Sequence, residues 1–115
     1  MNDCIFCRII SGEIPADKIY EDEHAIVIRD IAPQAPFHFL AIPKSHYPAV
    51  QDIPTVLVSE IFGGLMNAFR KALEVCGLDR DGYRLVVNSG EIAGQTVPHL
   101  HIHILGGREL SWPPG

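Results

Sequence analysis

The stretch "HLHIHIL", residues 99–105, alternates three histidines with leucine and isoleucine. Successive side chains of a β-strand point to opposite faces of a sheet, so the pattern predicts a strand with one apolar face and one histidine face. The apolar face, formed by Leu100, Ile102 and Ile104, is expected to lie in the core. Threonine or lysine would serve a solvated face equally well, so three histidines in one row indicate a functional site.

Two kinds of chemistry fit such a row: a metal site, or imidazoles that act together on one extended ligand. Residues on the same face of a strand lie roughly 6.6 Å apart, and three ligands on one straight strand do not converge easily on one ion. Imidazole is both a nucleophile and a near-neutral acid or base, which suits phosphorus chemistry without a metal. The pattern therefore favours a ligand held along the strand, with no cofactor needed for catalysis.

The composition indicates a single globular domain. The chain has 115 residues, 47% of them hydrophobic and 20% charged, which excludes a disordered protein. The formal net charge of -5, without any cluster of Lys or Arg, argues against a nucleic-acid partner. We expect no membrane association, because neither a signal-peptide pattern nor an apolar run of transmembrane length is present. Three cysteines without an export signal fit a cytoplasmic location.

Periodicity and turn residues predict an α+β domain over residues 1–115. Short β-rich runs at 18–22, 25–30, 38–43, 83–88 and 99–105 predict five strands. Apolar residues recur every three or four positions from Pro54 to Cys76, which predicts one long amphipathic helix ended by Gly77. A short helix is expected at the N-terminus, in "CIFCRII". Strands adjacent in sequence favour an antiparallel meander with the long helix on one face.

The chain resembles the histidine triad (HIT) superfamily. "HLHIHIL" has the form of the family's motif, and the segments "IFCRIISGEIPA", "DIAPQAPFHFLAIPKSH", "GYRLVVNSG", "GGREL" and "WPPG" resemble the histidine triad nucleotide-binding (Hint) branch along nearly the whole chain. The resemblance implies a homodimer whose two sheets join into one. It also implies a hydrolase that cleaves purine nucleoside phosphoramidates into an amine and AMP or GMP, so a purine nucleotide is the expected partner.

The resemblance assigns roles to the histidines. His101 matches the nucleophile, which attacks the α-phosphorus to give a covalent nucleotidyl-histidine that water later hydrolyses. The backbone carbonyl of His99 matches the acceptor that holds the proton on the other ring nitrogen of His101. His103 and His38 match the residues that bracket the phosphate oxygens. For His38 alone, a hydrogen-bonded core histidine is the alternative.

Further positions match the nucleotide-binding residues of the family. Asp30 matches the acceptor of both ribose hydroxyls, although an Asp before a proline loop is also a common turn former. Asn88 matches a contact to ribose and phosphate, and Gln95 and Thr96 match groups near the phosphate and the leaving amine. The apolar slot for the base, whose members are equally plausible as ordinary core, comprises Ile5, Phe6, Ile9, Ile14, Ile28 and Ile31.

The sequence departs from the family pattern at three places. Arg29 stands where the best-known members have a histidine beside the base and ribose, and Pro98 replaces an aromatic residue before the triad. Cys4 and Cys7 form a C-x-x-C that many Hint proteins lack.

The C-x-x-C supplies two of the four ligands of a predicted zinc site. With His46 and His99, the two cysteines make a donor set that resembles the one in some bacterial HIT proteins, which predicts a structural zinc. The alternative is two cysteines packed as apolar residues under the first helical turn.

Two other functions stay open at this point. One is a dinucleoside polyphosphate hydrolase of the Fhit type, against which the "GGREL…WPPG" ending argues. The other is a nucleotide-binding regulatory module with incidental catalysis, because a fold does not fix a cellular role.

In Hint-like dimers the residue that matches Trp112, in the tail 112–115, reaches toward the partner's site.

Overall fold

The computed structural model describes residues 3–115, and within them it contains five β-strands and two α-helices. The strands are β1 (Lys18–Glu21), β2 (Ala25–Arg29), β3 (Phe37–Pro43), β4 (Tyr83–Val86) and β5 (Ile102–Gly106). The helices are α1 (Ile5–Ile10) and α2 (Val58–Cys76). The predicted α+β class, with about five strands, one long helix and a short N-terminal helix, is confirmed. Neither helix of the described part combines the length and hydropathy needed to cross a bilayer.

All five strands form one antiparallel sheet in the order β1-β2-β3-β5-β4. The first three strands form a meander, as their short connections require. The connection from β3 to β4 contains α2, and it carries the chain to the far edge of the sheet, so β5 returns between them. The strand with the histidine motif thus lies inside the sheet, hydrogen bonded on both sides.

One face of the sheet packs on α2. The helix contributes Leu65, Ala68, Phe69, Ala72 and Leu73, all buried, to the core on this face. Leu100, Ile102 and Ile104 lie in the same core, as the alternation predicts. Burying a side chain such as Leu65 completely contributes about 2 kcal/mol to folding, so this face carries much of the stability.

The opposite face of the sheet lies under α1. Phe6 and Ile9 of the helix pack on side chains from the two strands next to it, which are Ile26, Ile28, Leu40 and Ile42. The residues of this second cluster are buried although the helix has only 6 residues. The histidine face is therefore a partly covered cleft instead of a solvated surface.

Three predicted element ends differ from the structure by two residues or more. The long helix begins at Val58, because the residues before it form tighter 3₁₀ turns in which the Leu57 N–H donates to the Pro54 carbonyl at 2.8 Å. The fifth strand begins at Ile102 instead of His99, since the Leu100 N–H donates to the carbonyl of Tyr47 instead of to a neighbouring strand. The fourth strand ends at Val86, which pairs with His103, because β5 begins only one residue before His103 and leaves almost no further residue to pair with.

Candidate active site

The three histidines of the motif share one side of the chain, although only His103 belongs to β5. The rings of His99 and His101 each pack nearly perpendicular to the ring of Phe6, with centroid distances of 5.8 and 5.0 Å. The centroids of His101 and His103 are 5.0 Å apart. His99 is fully buried and His101 is only 6% exposed. The alternation therefore predicts the side chains' directions correctly, and Phe6 of α1 packs against two of the three rings.

His101 is held in one orientation by its own backbone. Its Nδ1–H donates to the carbonyl oxygen of His99 at 2.7 Å. A carbonyl only accepts, so in the neutral ring the proton lies on Nδ1 and a lone pair lies on Nε2. Among residues 3–115 no hydrogen bond uses this Nε2, and no fully buried side-chain nitrogen lacks a partner, so the atom is open to the cleft. The geometry leaves His101 Nε2 free to act as a nucleophile.

His38 and His103 meet across two neighbouring strands. Nε2 of His38 lies 2.9 Å from Nδ1 of His103, and the ring centroids are 5.1 Å apart. Oδ2 of Asp30 lies 3.5 Å from the same Nε2, and Oδ1 of Asp30 accepts the N–H of Ala32 at 2.8 Å. The structure thus brings together three of the residues that the family pattern assigns to phosphate and ribose.

Burial keeps these two rings neutral. It lowers the pKa of His103 to about 4, helped by the nearby His101 and His38. It also lowers the pKa of His38, against the attraction of the Asp30 carboxylate. At neutral pH each ring therefore carries a single N–H, and the two rings are poised to act as hydrogen-bond partners without a fixed positive charge.

A second cluster gathers Cys4, Cys7, His46 and His99 at the start of α1. Nδ1 of His99 lies 3.2 Å from Sγ of Cys4, 3.6 Å from Sγ of Cys7 and 3.0 Å from Nδ1 of His46. Sγ of Cys7 lies 3.3 Å from Nδ1 of His46. All four donor atoms lie within 4.8 Å of one another.

The donor set fits a tetrahedral metal ion. Zn–N bonds of about 2.0 Å and Zn–S bonds of about 2.3 Å place the ligand atoms of such a site roughly 3.3 to 3.8 Å apart, close to the distances in the cluster. The Nε2–H of His99 donates to the Pro43 carbonyl at 2.9 Å, which leaves the lone pair on Nδ1, toward the cysteines. A metal-bound histidine typically has this second hydrogen bond. Burial lowers the pKa of His99 to about 4, so its ring is neutral at neutral pH.

The loop that the family pattern places near the leaving group is held by Gln95. Both N–H groups of its amide are used, one to the Pro48 carbonyl at 2.6 Å and one to the Val97 carbonyl at 3.0 Å. Its Oε1 accepts the N–H of Gly90 at 2.8 Å. Gln95 therefore braces the loop, while Thr96 is exposed and Asn88 is half-buried.

The residues predicted to form the base slot separate into two groups. Phe6, Ile9 and Ile28 are buried in the second core cluster, and Ile14 packs against it. Ile5 is 44% exposed and Ile31 is fully exposed, so these two are free to contact a ligand. The buried members serve as ordinary core that also forms the floor of the cleft.

Two of the departures from the family pattern do not disturb the histidines. The guanidinium of Arg29 lies over Phe39, on the face of α2, and pairs with Asp17 at 3.0 Å. Pro98 is exposed.

Trp112 is 80% exposed, in a tail that Arg84 holds by donating to the Ser111 carbonyl at 2.9 Å.

Sequence reasoning missed the contribution of backbone groups to the site. The N–H of Gln34 donates to Nδ1 of His38 at 3.1 Å, and the carbonyl of Pro43 accepts from His99. No side-chain pattern encodes such partners, because nearly every residue carries the same backbone groups.

The sheet order and the row of histidines beside α1 define a histidine triad protein. A model of the HIT domain matches residues 11–110, and on this ground the chain belongs to the HIT domain family. Protein pkiA of Dictyostelium discoideum is 47% identical over 116 residues, which cover 98% of this chain and 90% of that protein.

Solved structures agree with this assignment. The HIT family hydrolase from Legionella pneumophila Philadelphia 1 is similar with a TM-score of 0.91 at 45% identity, over 97% of this chain and 99% of that one. The histidine triad nucleotide-binding protein from Candida albicans is similar with a TM-score of 0.72 at 35% identity, over 96% of this chain and 82% of that one.

Proposed function

We propose that this protein is a purine nucleoside phosphoramidase of the Hint type, which hydrolyses the P–N bond of AMP and GMP phosphoramidates. The observation that carries the proposal is the fixed ring of His101, whose Nδ1–H is held by the His99 carbonyl while Nε2 stays open to the cleft. Relatives described as a hydrolase and as a nucleotide-binding protein support the same class of activity.

The reaction proceeds by two displacements at the α-phosphorus. Nε2 of His101 attacks, the P–Nε2 bond forms and the P–N bond to the amine breaks, while the leaving nitrogen takes a proton from solvent. The positive charge on the ring is stabilised by the hydrogen bond to the His99 carbonyl. Water then attacks the phosphorus and releases one proton to solvent, while the P–Nε2 bond breaks and its electron pair returns to Nε2. The nucleoside monophosphate leaves, and His101 is again neutral with its proton on Nδ1. Splitting one difficult displacement into two is the general advantage of a covalent intermediate.

The groups around His101 suit a nucleotide. The carboxylate of Asp30 is an acceptor for ribose hydroxyls, and the apolar floor of Phe6 and Ile28 suits a flat base. His103 offers a ring nitrogen beside the reacting phosphorus. We assign to Gln95 the positioning of the loop next to the leaving amine, and to Thr96 a polar contact near the phosphate and that amine. Asn88 would contact the ribose and the phosphate.

A structural zinc belongs to the same proposal. Cys4, Cys7, His46 and His99 would hold it, and the geometry of their donor atoms supports this assignment. Zinc bound there would cross-link α1 to the loops before α2 and β5, which supplies folding energy. It takes no part in the chemistry.

We also propose a homodimer. β4 lies at the edge of the sheet, and its apolar side chains Tyr83 and Leu85 are 40% and 37% exposed, as is Val87 at 38%. An exposed apolar edge invites pairing with another strand, and pairing of two β4 strands about a two-fold axis would cover both edges in one continuous sheet.

The activity test compares substrates with purified full-length protein. We expect turnover of adenosine and guanosine phosphoramidates to exceed turnover of diadenosine polyphosphates, and rapid-quench mass spectrometry to show a protein carrying one nucleotidyl group. Preferential cleavage of the dinucleotides would assign the chain to the Fhit type. Binding of AMP without turnover of either class would make it a regulatory module.

A further inference from the structure

His38 and His103 belong to a hydrogen-bonded chain that begins at a backbone amide. The N–H of Gln34 donates to Nδ1 of His38 at 3.1 Å, and Nε2 of His38 lies 2.9 Å from Nδ1 of His103. His38 is 7% exposed, so water does not compete freely for these contacts. These hydrogen bonds link the loop after β2, through His38 of β3, to His103 near the start of β5.

The first donor in this chain determines the position of every later proton. A backbone N–H only donates, so Nδ1 of His38 must present a lone pair, and the proton of the neutral ring lies on Nε2. That Nε2–H donates to Nδ1 of His103, which therefore also presents a lone pair. The proton of His103 is left on its Nε2. No hydrogen bond within residues 3–115 uses this atom, and it is not buried without a partner, so it reaches the cleft beside His101.

We propose that His38 is a positioning residue that keeps His103 in the Nε2–H tautomer, so that His103 always presents a hydrogen-bond donor to the phosphate beside the nucleophile. The neighbouring rings of His101 and His103 are thereby held in opposite tautomers. His101 presents a lone pair at Nε2 because its other nitrogen donates, and His103 presents a proton at Nε2 because its other nitrogen accepts. The catalytic consequence rests on the proposed function, whereas the tautomer does not.

The same series of hydrogen bonds distinguishes two clusters whose side chains are both close enough together to hold a metal ion. One ligand atom from each of Asp30, His38 and His103 lies within 4.8 Å of the other two, the same limit that the cysteine cluster meets. A metal on Nε2 of His38 would force the ring proton to Nδ1, where it would face the N–H of Gln34. The cysteine cluster has the opposite arrangement, since His99 donates from Nε2 and leaves Nδ1 to a metal. Metal binding is therefore expected at the cysteine cluster and not at Asp30, His38 and His103.

The tautomers are measured directly by long-range ¹⁵N–¹H NMR correlations of the histidine rings in the full-length protein at neutral pH. We expect the Nε2–H tautomer for both His38 and His103 and the Nδ1–H tautomer for His101. An Nδ1–H tautomer at His103 in the wild-type protein would overturn the proposal, whatever the protein's activity. Because this measurement needs no substrate, failure of the proposed function would leave its result unaffected.

Two substitutions separate positioning from packing. His38→Gln keeps a donor near the position of Nε2, whereas His38→Leu fills similar space without one. We expect the Nδ1–H form of His103 to appear only in His38→Leu. Because a positioned acid or donor contributes about 100-fold or more to a rate, we expect kcat of that variant to fall at least about tenfold below His38→Gln.

A merely structural role of His38 would lower both variants equally and leave the spectra alike, which would contradict the proposal. His24→Leu, at an exposed histidine away from the cleft, is the matched control and should change neither readout. If His38→Leu fails to fold, the wild-type spectrum and the His38→Gln spectrum still decide the matter.

Discussion

Replacing His101 by alanine tests the central assignment. The substitution removes the nucleophile and also a buried hydrogen bond, that between Nδ1–H and the His99 carbonyl at 2.7 Å. Leaving that carbonyl without a partner costs about 1–3 kcal/mol of folding stability. A domain of ordinary stability, about 5–15 kcal/mol, would remain folded in more than about nine molecules of ten. Unfolding can therefore explain only a small loss of activity.

The loss of the nucleophile is expected to be far larger. Removing a covalent nucleophile typically lowers kcat by about 10⁴-fold or more, equivalent to about 5.4 kcal/mol at 1.36 kcal/mol for each tenfold change. We expect a loss of kcat of this size when His101→Ala is assayed with an AMP phosphoramidate. Calorimetry of the same variant should give an AMP affinity within about tenfold of wild type, since the ribose and base contacts remain.

The control is again an exposed histidine. His24→Ala removes an imidazole without touching the cleft and should keep full turnover. Thermal unfolding of both variants reports how much of any loss is due to stability. If His101→Ala kept a near-normal rate, or if its lost activity followed its loss of folded protein, the nucleophile assignment would be refuted.

Three further predictions concern the zinc, the assembly and the tail. Elemental analysis should find about one zinc per chain in wild type, and Cys4→Ser should lower the zinc content whereas Cys76→Ser, at a cysteine packed against the other core, should not. A metal-free wild type, even after refolding with zinc, would mean that Cys4 and Cys7 only pack as apolar residues. Light scattering at low concentration should show a dimer, and Leu85→Lys, at the edge of the sheet, should dissociate it. A wild-type protein that is a fully active monomer would contradict the proposed interface. Deleting residues 111–115 should change the ranking of amine leaving groups without changing AMP affinity, because the exposed Trp112 offers contact area but no chemistry; an unchanged ranking would make the tail a simple terminus.

Most of the fold could be predicted from the sequence, because its signals are local. Period-two alternation and turn residues indicate the five strands, and a repeat of three to four residues indicates α2. The errors lie at the ends of elements, where neighbours decide. Nothing in residues 99–101 excludes a strand, but at this point the chain bonds to the carbonyl of Tyr47, and β5 begins only at Ile102.

The site divides in the same way. The histidine row and the C-x-x-C are visible in the sequence because their members are close together along the chain, and the resemblance to a family supplied Asp30, His38 and His46. What each histidine can do was decided only by the tertiary structure. His38 meets His103 across 65 positions, and His99 meets His46 across 53.

The sequence by itself determined that the three histidines of the motif share one side of the chain, since side-chain direction follows from the two-residue period of an extended chain. Only the folded structure determined where their protons lie. His101 donates to a backbone carbonyl, His38 accepts from a backbone amide, and His99 donates to a third backbone group. Backbone donors and acceptors are the same at nearly every residue, so their effect on a ring nitrogen depends entirely on which part of the chain the fold brings beside it.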